Sequence, residues 1–364
     1  MDTTAEDIDF NENSICNFCT DFKKRQLKLK KNKNDLEELI KKIKYHGRNR
    51  KYDCIVGVSG GVDSSFSLIK ACENNLRPLA VHMDNGWNSE LAQSNISNLI
   101  RTYKVDLYTH VINWKEYRNF QEAFFMANVL DLELLMDNAM LSVNYKLASK
   151  YNIRYILSGT NTSTEGFRIP SNWSWFKNDA KNIKKIGKKF MNQKIKTFPT
   201  FGTFDFLYYV LIRKIKWILF PDYFQYNKEL AINELKYKIN FKPYPYKHYE
   251  SVFTRFYQGY ILPKKFGIDK RKVHLSNLII SGQITRDEAL RKIQQPSYPD
   301  EEDEKKDTKY FLKKMKWDEN KLNKYILDEE IDHSIYGSEK KLWDSLKKIY
   351  QKNDLLKKYF NDLI

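Results

Sequence analysis

The stretch YDCIVGVSGGVDSSFSLIKACENN, residues 52–75, decides the fold. Its first part, YDCIVGVS, is a short apolar run ending in glycines and reads as a strand, and SSFSLIKACENN from Ser64 onward reads as a helix. Between them Ser59 to Ser65 spell SGGVDSS at the strand-to-helix turn. Gly60 and Gly61 let the backbone turn tightly and bare its NH groups, Ser59, Ser64 and Ser65 add hydroxyl donors, and the helix offers its positive end. Together they form a cradle for a pyrophosphate. Asp63 alone would repel phosphate, so its place inside the cradle points to Mg²⁺ bridging the phosphates. A plain turn with a helix cap would need only the glycines, and the complete string in this context argues for phosphate binding.

Outward from this turn the alternation continues. RPLAVHMDNG (77–86), VDLYTHVI (105–112) and IRYILSGTN (153–161) are further apolar runs, and ELLMDNAMLSVNYKLASKY (133–151) is a helix between the last two. Short apolar strands separated by helices imply an α/β fold with a parallel sheet covered on both faces. Ligands in such sheets bind at the carboxyl ends of the strands. His82 and Asp84, leaving the second strand, are therefore placed beside adenine and ribose, and Gly159 and Thr160, leaving the fourth, close the same mouth.

The remaining segments set the expected organisation. Residues 1–22 form a loop-rich knuckle holding Cys16 and Cys19, 23–50 a basic helix, and 51–165 the nucleotide domain. Residues 166–298 form a helical, aromatic region for substrate or partner, and 299–364 an acidic linker followed by surface helices. The most apolar stretch, Phe204 to Phe220, is cut by Arg213, Lys214 and Lys216 and is too short to span a bilayer, so a buried aromatic helix is expected there.

The chain of 364 residues is 41% hydrophobic with 22 Phe, 24 Tyr and 7 Trp, which excludes disorder despite 30% charged residues. Lys and Arg number 63 against 46 acids, for a net charge of +17. The excess is spread along the chain and does not gather into a stripe, which argues against nucleic acid as a partner. Four cysteines are too few for a disulfide framework, and the opening Met1 to Phe10 is acidic, with no apolar leader. A cytoplasmic protein is expected.

SGGVDSS resembles the PP-loop of the ATP pyrophosphatases, which lack the GK[ST] ending of Walker ATPases, as this chain does. The resemblance implies the adenine nucleotide alpha hydrolase-like (Rossmann-like) fold with a helical C-terminal elaboration. It also implies ATP as cosubstrate, cleaved to AMP and pyrophosphate, with Mg²⁺. Three further stretches resemble a narrower branch, the N-acetyl sugar amidotransferases of the WbpG/PseA type: MDTTAEDIDFNENSICNFC at the start, SGTNTSTEG at 158–166, and the run KHYESVFTRFYQGYILPKKFGIDKRKVHLSNLIISGQITRDEAL at 247–290. That branch makes acetamidino sugars for lipopolysaccharide O-antigen or flagellin glycans, such as pseudaminic and legionaminic acid. The N-acetyl oxygen attacks ATP, and ammonia displaces AMP from the imidoyl adenylate.

None of the four cysteines forms a glutaminase arrangement with a histidine, so ammonia must come from elsewhere. The resemblance implies a separate glutamine amidotransferase of the histidine-biosynthesis type, delivering ammonia through a cyclase-like subunit. Asp63, Lys247, His248 and Arg255 are then the catalytic candidates, and Arg168, Glu250, Lys270 and Arg271 the sugar-binding ones. Arginine suits the carboxylate of a nonulosonic or uronic acid through a two-pronged hydrogen bond. The family also pairs a CxxC with a second one upstream in a zinc knuckle. Here the counterpart of Cys16 and Cys19 would fall before Met1, either because the chain as given starts at an internal methionine or because the first pair has been lost, which leaves half a Zn²⁺ site.

Two rival functions share the motif. A tRNA-modifying PP-loop enzyme, of the thiolation or lysidine type, would use the basic charge to hold RNA, yet thiolation needs a reactive cysteine. A non-catalytic nucleotide-binding scaffold would be expected to have lost Asp63 or the glycines. GMP and NAD synthetases carry SGGVDSS but not the 247–290 run.

Overall fold

The computed structural model describes residues 1–29, 31–244, 249–298 and 300–352, with the backbone alone at 27–29. Five strands, β1 (Cys54–Gly57), β2 (Pro78–Asp84), β3 (Asp106–Val111), β4 (Tyr155–Ser158) and β5 (Lys216–Leu219), form one sheet in the order β3-β2-β1-β4-β5. Every pairing is parallel, with Cys54 opposite Pro78, Ile55 opposite Ile156, and Tyr155 opposite Lys216. The α/β parallel-sheet fold expected from the sequence is the fold observed.

Alternate residues of the strands feed two cores, as the two-residue period of a strand requires. Ile55, Leu79, Val81 and Ile156 face the helices Trp114–Met126 and Leu134–Lys150. Val56, Ala80 and Leu157 face Phe66 and Ile69 of helix Val62–Glu73, Leu99 of Glu90–Tyr103, and Leu235 of Lys228–Ile239. Burial on both faces explains why β1 and β4 read as unbroken apolar runs. β3 lies at an edge and is correspondingly more exposed.

Three expectations are corrected. The apolar stretch 204–220 is not one helix: Thr203–Leu207 continues as a π-helical turn, Tyr208–Ile212, and Lys214 at φ +54° turns the chain into β5. A short run of Trp, Ile and Leu suits a helix or a strand equally by pattern, and the open edge of β4 decides for the strand. The sheet therefore draws on residues beyond 165. The acidic stretch after Pro299 is no linker but the start of helix Glu301–Met315. Asp300 caps it by accepting from Asp303 N at 2.7 Å, and four acids occupy its positive first turn. Finally, the basic helix is two helices, Asn17–Leu29 and Lys33–Gly47, the first of which begins inside the cysteine motif. Among the described residues no helix is long and apolar enough to cross a membrane.

Candidate active site

From β1 the chain steps outward through β2 to β3, and from β4 outward to β5, so the winding direction reverses between β1 and β4. Loops leaving adjacent strands on either side of such a switch part and leave a crevice. The SGGVDSS turn leaves β1 there, and Gly159 and Thr160 leave β4 beside it.

The turn is held from several sides. Gly60 sits at φ +83°, and a Cβ there would fall 2.6 Å from Ala92 O at the start of helix Glu90–Tyr103. Gly60 O accepts from Tyr244 Oη at 2.9 Å. A Cβ on Gly159 would fall 2.6 Å from Ser64 N, so only glycine lets the β4 exit lie directly on the first turn of helix Val62–Glu73. Ser59 Oγ accepts from Gly61 N at 3.2 Å and lies 3.2 Å from Ser64 Oγ. Among the described residues no side chain caps this helix, so its first NH groups stay available to an anion.

Asp63 accepts hydrogen bonds from Tyr226 Oη and from Asn161 Nδ2, the latter at 3.4 Å. Burial, reinforced by the Asp63 charge, pushes the Tyr226 phenol well above its ordinary pKa, so it remains a donor. Asn161 is itself fixed, its Oδ1 capping Thr162–Glu165 through Thr164 N at 2.9 Å. Above the turn a strap crosses from the other side. Ser89 N donates to Glu250 O at 2.9 Å, Val252 N donates to Trp87 O at 2.9 Å, and a Cβ on Gly61 would lie 3.2 Å from Glu250 Oε1. Glu250 thus brings a second carboxylate to the phosphate turn.

Beside it, His82 is locked: its Nδ1 donates to Val58 O at 2.9 Å while Nε2 accepts from Asn88 Nδ2 at 3.0 Å. Asp84 Oδ1 accepts from Gly86 N at 2.9 Å. His82 and Asp84 line a cavity of about 470 Å³ together with Gln93, Ile96, Arg101 and Thr109, within the size range of small-molecule sites.

The structure therefore gathers Ser59, Gly60, Gly61, Asp63, Ser64, Gly159, Thr160 and Glu250 at one crevice, with His82 and Asp84 next to it. Other candidates lie apart. Ser65 is fully buried under the turn, because the helical period points it into the core, and its Oγ meets no hydrogen-bond partner. Arg255 closes both prongs of its guanidinium on Asp307, which also accepts from Tyr298 Oη at 3.0 Å. Arg168 pairs with Asp7 at 2.9 Å over the ring of Phe18, and Arg271 pairs with Asp269 at 2.7 Å. Lys270 pairs with Glu133 at 2.9 Å. Lys247 and His248 lie outside the described residues.

Cys16 and Cys19 gain no further metal ligand among the described residues. Cys16 is buried with Ala5, Phe18, Phe22 and Phe167, and among the described residues no group of three metal-ligating side chains converges. Asn161 belongs to the β4 exit read from the sequence, while Tyr226 and Tyr244 carry no sequence signal for this site. The two tyrosines reach the turn only through β5 and the helix after it.

Residues 250–350 match the family described as LPS biosynthesis protein WbpG-like, C-terminal domain. The chain carries a WbpG-like C-terminal domain. That domain supplies the strap from Glu250 onward, Arg255, and the Asp307 that holds it. No curated protein matches the chain in sequence. Among solved structures, the NH3-dependent NAD synthetase from Campylobacter jejuni, in complex with the nitrate ion, is 16% identical with a TM-score of 0.29, over 42% of this chain and 70% of its own. The NMN synthetase from Francisella tularensis is 16% identical with a TM-score of 0.29, over 56% of this chain and 92% of its own.

Proposed function

We propose that this chain is an ATP-dependent, AMP-forming amidotransferase that converts the acetamido group of a bacterial surface sugar to an acetamidino group. The observation that carries this is the meeting of two parts: an uncapped, glycine-built phosphate turn, and the Glu250 strap of a WbpG-like domain laid across it. Amide oxygen is a poor leaving group, and esterifying it with AMP makes it a good one.

Each residue then has a defined task. The NH groups from Gly61 onward and the hydroxyls of Ser59 and Ser64 hold the departing pyrophosphate. The cavity beside His82 and Asp84 takes the nucleoside. Asp63 and Glu250 fit Mg²⁺, which is held through one or two carboxylates and the substrate's own phosphates, and which when bound neutralises phosphate charge. Tyr226 and Asn161 aim the Asp63 carboxylate. The N-acetyl oxygen attacks the α-phosphorus and pyrophosphate leaves. Ammonia then adds its lone pair to the imidoyl carbon, and the bond from that carbon to the AMP oxygen breaks. The ammonia source is a partner glutaminase of the histidine-biosynthesis type with a cyclase-like subunit, and the site of action is the cytoplasm.

Sulfur transfer to tRNA fits less well. Burial pushes the Cys72 thiol up to about 11 and raises Cys54 well above its ordinary value, so both stay protonated at neutral pH. The test is Asp63→Ala with ATP, Mg²⁺, ammonium and an acetamido-sugar panel. AMP release is expected to vanish while the far-ultraviolet circular dichroism of the protein is retained, and undiminished AMP release would refute the site.

A further inference from the structure

The helical segment that leads into β5 carries apolar side chains on two opposite sides. Phe206 and Val210 lie on the packed side, where Phe206 meets Trp343 with ring centroids 4.9 Å apart and Val210 is buried in the core. On the other side Phe204, Tyr208 and Ile212 follow at four-residue steps through Thr203–Leu207 and the π-helical turn Tyr208–Ile212, a spacing that aligns them in one stripe. They keep 73%, 47% and 69% of their surface open. Single exposed apolar residues need no explanation, whereas three in line on the side away from the core mark a surface made to be covered.

The stripe runs into a group of cations. Arg213 and Lys214 follow Ile212 directly, and Arg213 is held by donating to Ser149 O at 2.9 Å. The sheet brings two more cations to the same end. Arg154 enters β4 beside the start of β5, its carbonyl accepting from Lys216 N at 2.8 Å, and Arg50 lies just before β1. Three of these charges crowd one another: burial lowers the Arg50 pKa, and Arg154 and Arg213 lower it further. Elsewhere at this end of the sheet the charges are matched, Lys51 by Asp106 at 2.8 Å and Arg77 by Asp53 at 2.7 Å. Among the described residues no carboxylate pairs with Arg50, Arg154, Arg213 or Lys214. Asp205, the acid next to Phe204, is turned back to accept from Gly202 N at 2.9 Å.

Uncompensated cations beside an exposed apolar stripe call for a complement that is anionic outside and apolar within, which is the order of acidic headgroups over acyl chains. The stripe is the convex side of a helix, which a headgroup layer receives without a matching groove, and the rings of Phe204 and Tyr208 suit that boundary. We propose that the Phe204–Tyr208–Ile212 stripe, with Arg50, Arg154, Arg213 and Lys214 at its end, docks this protein on an anionic membrane surface. The three side chains enter the headgroup layer, and the cations lie against its acidic groups. The crevice, at the carboxyl ends of the strands, is at the opposite end of the sheet from these cations and stays open to solvent. Docking of this kind is independent of the reaction assigned to the crevice, because it is read without turnover.

Sedimentation of the whole chain with lipid vesicles is the test. Phosphatidylcholine vesicles holding about one-third phosphatidylglycerol should carry the protein down, plain phosphatidylcholine should not, and about 0.5 M salt should release it. Removing one cation should weaken binding about fivefold, so Arg154→Gln with Lys214→Asn should weaken it by about tenfold or more; asparagine tolerates the φ of +54° at Lys214. Phe204→Ser with Ile212→Ser should also cost about tenfold or more, and both side chains are exposed enough to be removed without opening the core. Leu230→Ser with Tyr237→Ser, equally exposed on helix Lys228–Ile239 across the sheet, should change nothing. No sedimentation with either vesicle, equal sedimentation with both, or binding kept by the stripe and cation variants would overturn the proposal. In analytical ultracentrifugation without lipid, the unaltered protein and the stripe variant should sediment alike. A dimer that the stripe variant dissolves would give the stripe to a second copy of the chain and overturn the proposal as well.

Discussion

Replacing Gly60 by alanine tests the phosphate turn through stability and binding together. At φ +83° an alanine bears a left-handed backbone cost of roughly 1–2 kcal/mol. Its Cβ would also fall 2.6 Å from Ala92 O and 2.9 Å from Ala92 Cα, backbone atoms of a helix start that cannot swing aside as a flexible side chain would. Such overpacking costs roughly 1–3 kcal/mol, so the sum is roughly 2–5 kcal/mol. Gly267 and Gly282 supply internal controls. They have φ of +65° and +73° with nothing within 4 Å of an added Cβ, so alanine there should show only the backbone part, roughly 1–2 kcal/mol. Urea unfolding followed by tryptophan fluorescence measures all three variants, and calorimetric titration with ATP measures the site. Gly60→Ala should be the least stable of the three and should bind ATP about tenfold more weakly, because its carbonyl and the following NH groups can no longer hold their directions. A Gly60→Ala protein as stable as the two controls, with unaltered ATP affinity, would refute the close approach of the turn to helix Glu90–Tyr103.

Ser65→Ala should leave ATP affinity unchanged and stability equal or slightly higher, since the lost hydroxyl is buried without a partner; calorimetry and urea unfolding check both. Arg255→Ala should destabilise the fold by about 3–5 kcal/mol by stranding the buried Asp307 carboxylate, and Arg255→Ala with Asp307→Ala should recover part of that in a double-mutant cycle. Burial holds His333 at about 4, with Nε2 accepting from Asp131 N and Nδ1 turned to Asn182 Oδ1. The unfolded chain therefore takes up a proton between about pH 6.5 and 4 that the native protein refuses, and stability should fall across that window by up to about 3 kcal/mol. His333→Gln should flatten this part of the stability profile measured by urea unfolding.

The sheet could be anticipated wherever an apolar run was bounded by glycines, as at Val56–Gly61 and Leu157–Gly159, because strand burial on both faces leaves a continuous hydrophobic signature. β5 could not, since Trp217, Ile218 and Leu219 carry no helical or strand period of their own and become a strand only by meeting the edge of β4. The phosphate turn was readable from SGGVDSS because each letter answers a local demand of backbone or charge. Charged residues in the 247–290 run gave no such demand. Arg255 and Arg271 are matched by Asp307 and Asp269, partners that no spacing rule identifies, and among the described residues of the run only Glu250 reaches the crevice. Tyr226 likewise arrives at Asp63 from 163 positions away, through the return of the chain along β5.

In the proposed reaction ATP is spent to replace the oxygen of an acetamido group by nitrogen. Mass spectrometry of acetamido-nonulosonic and acetamido-uronic acids, incubated with the protein, ATP, Mg²⁺ and ammonium at mildly alkaline pH, tests it most directly. One sugar is expected to change in mass by the replacement of O with NH, in step with AMP formation. AMP release that depends on tRNA, with every sugar unchanged, would contradict it.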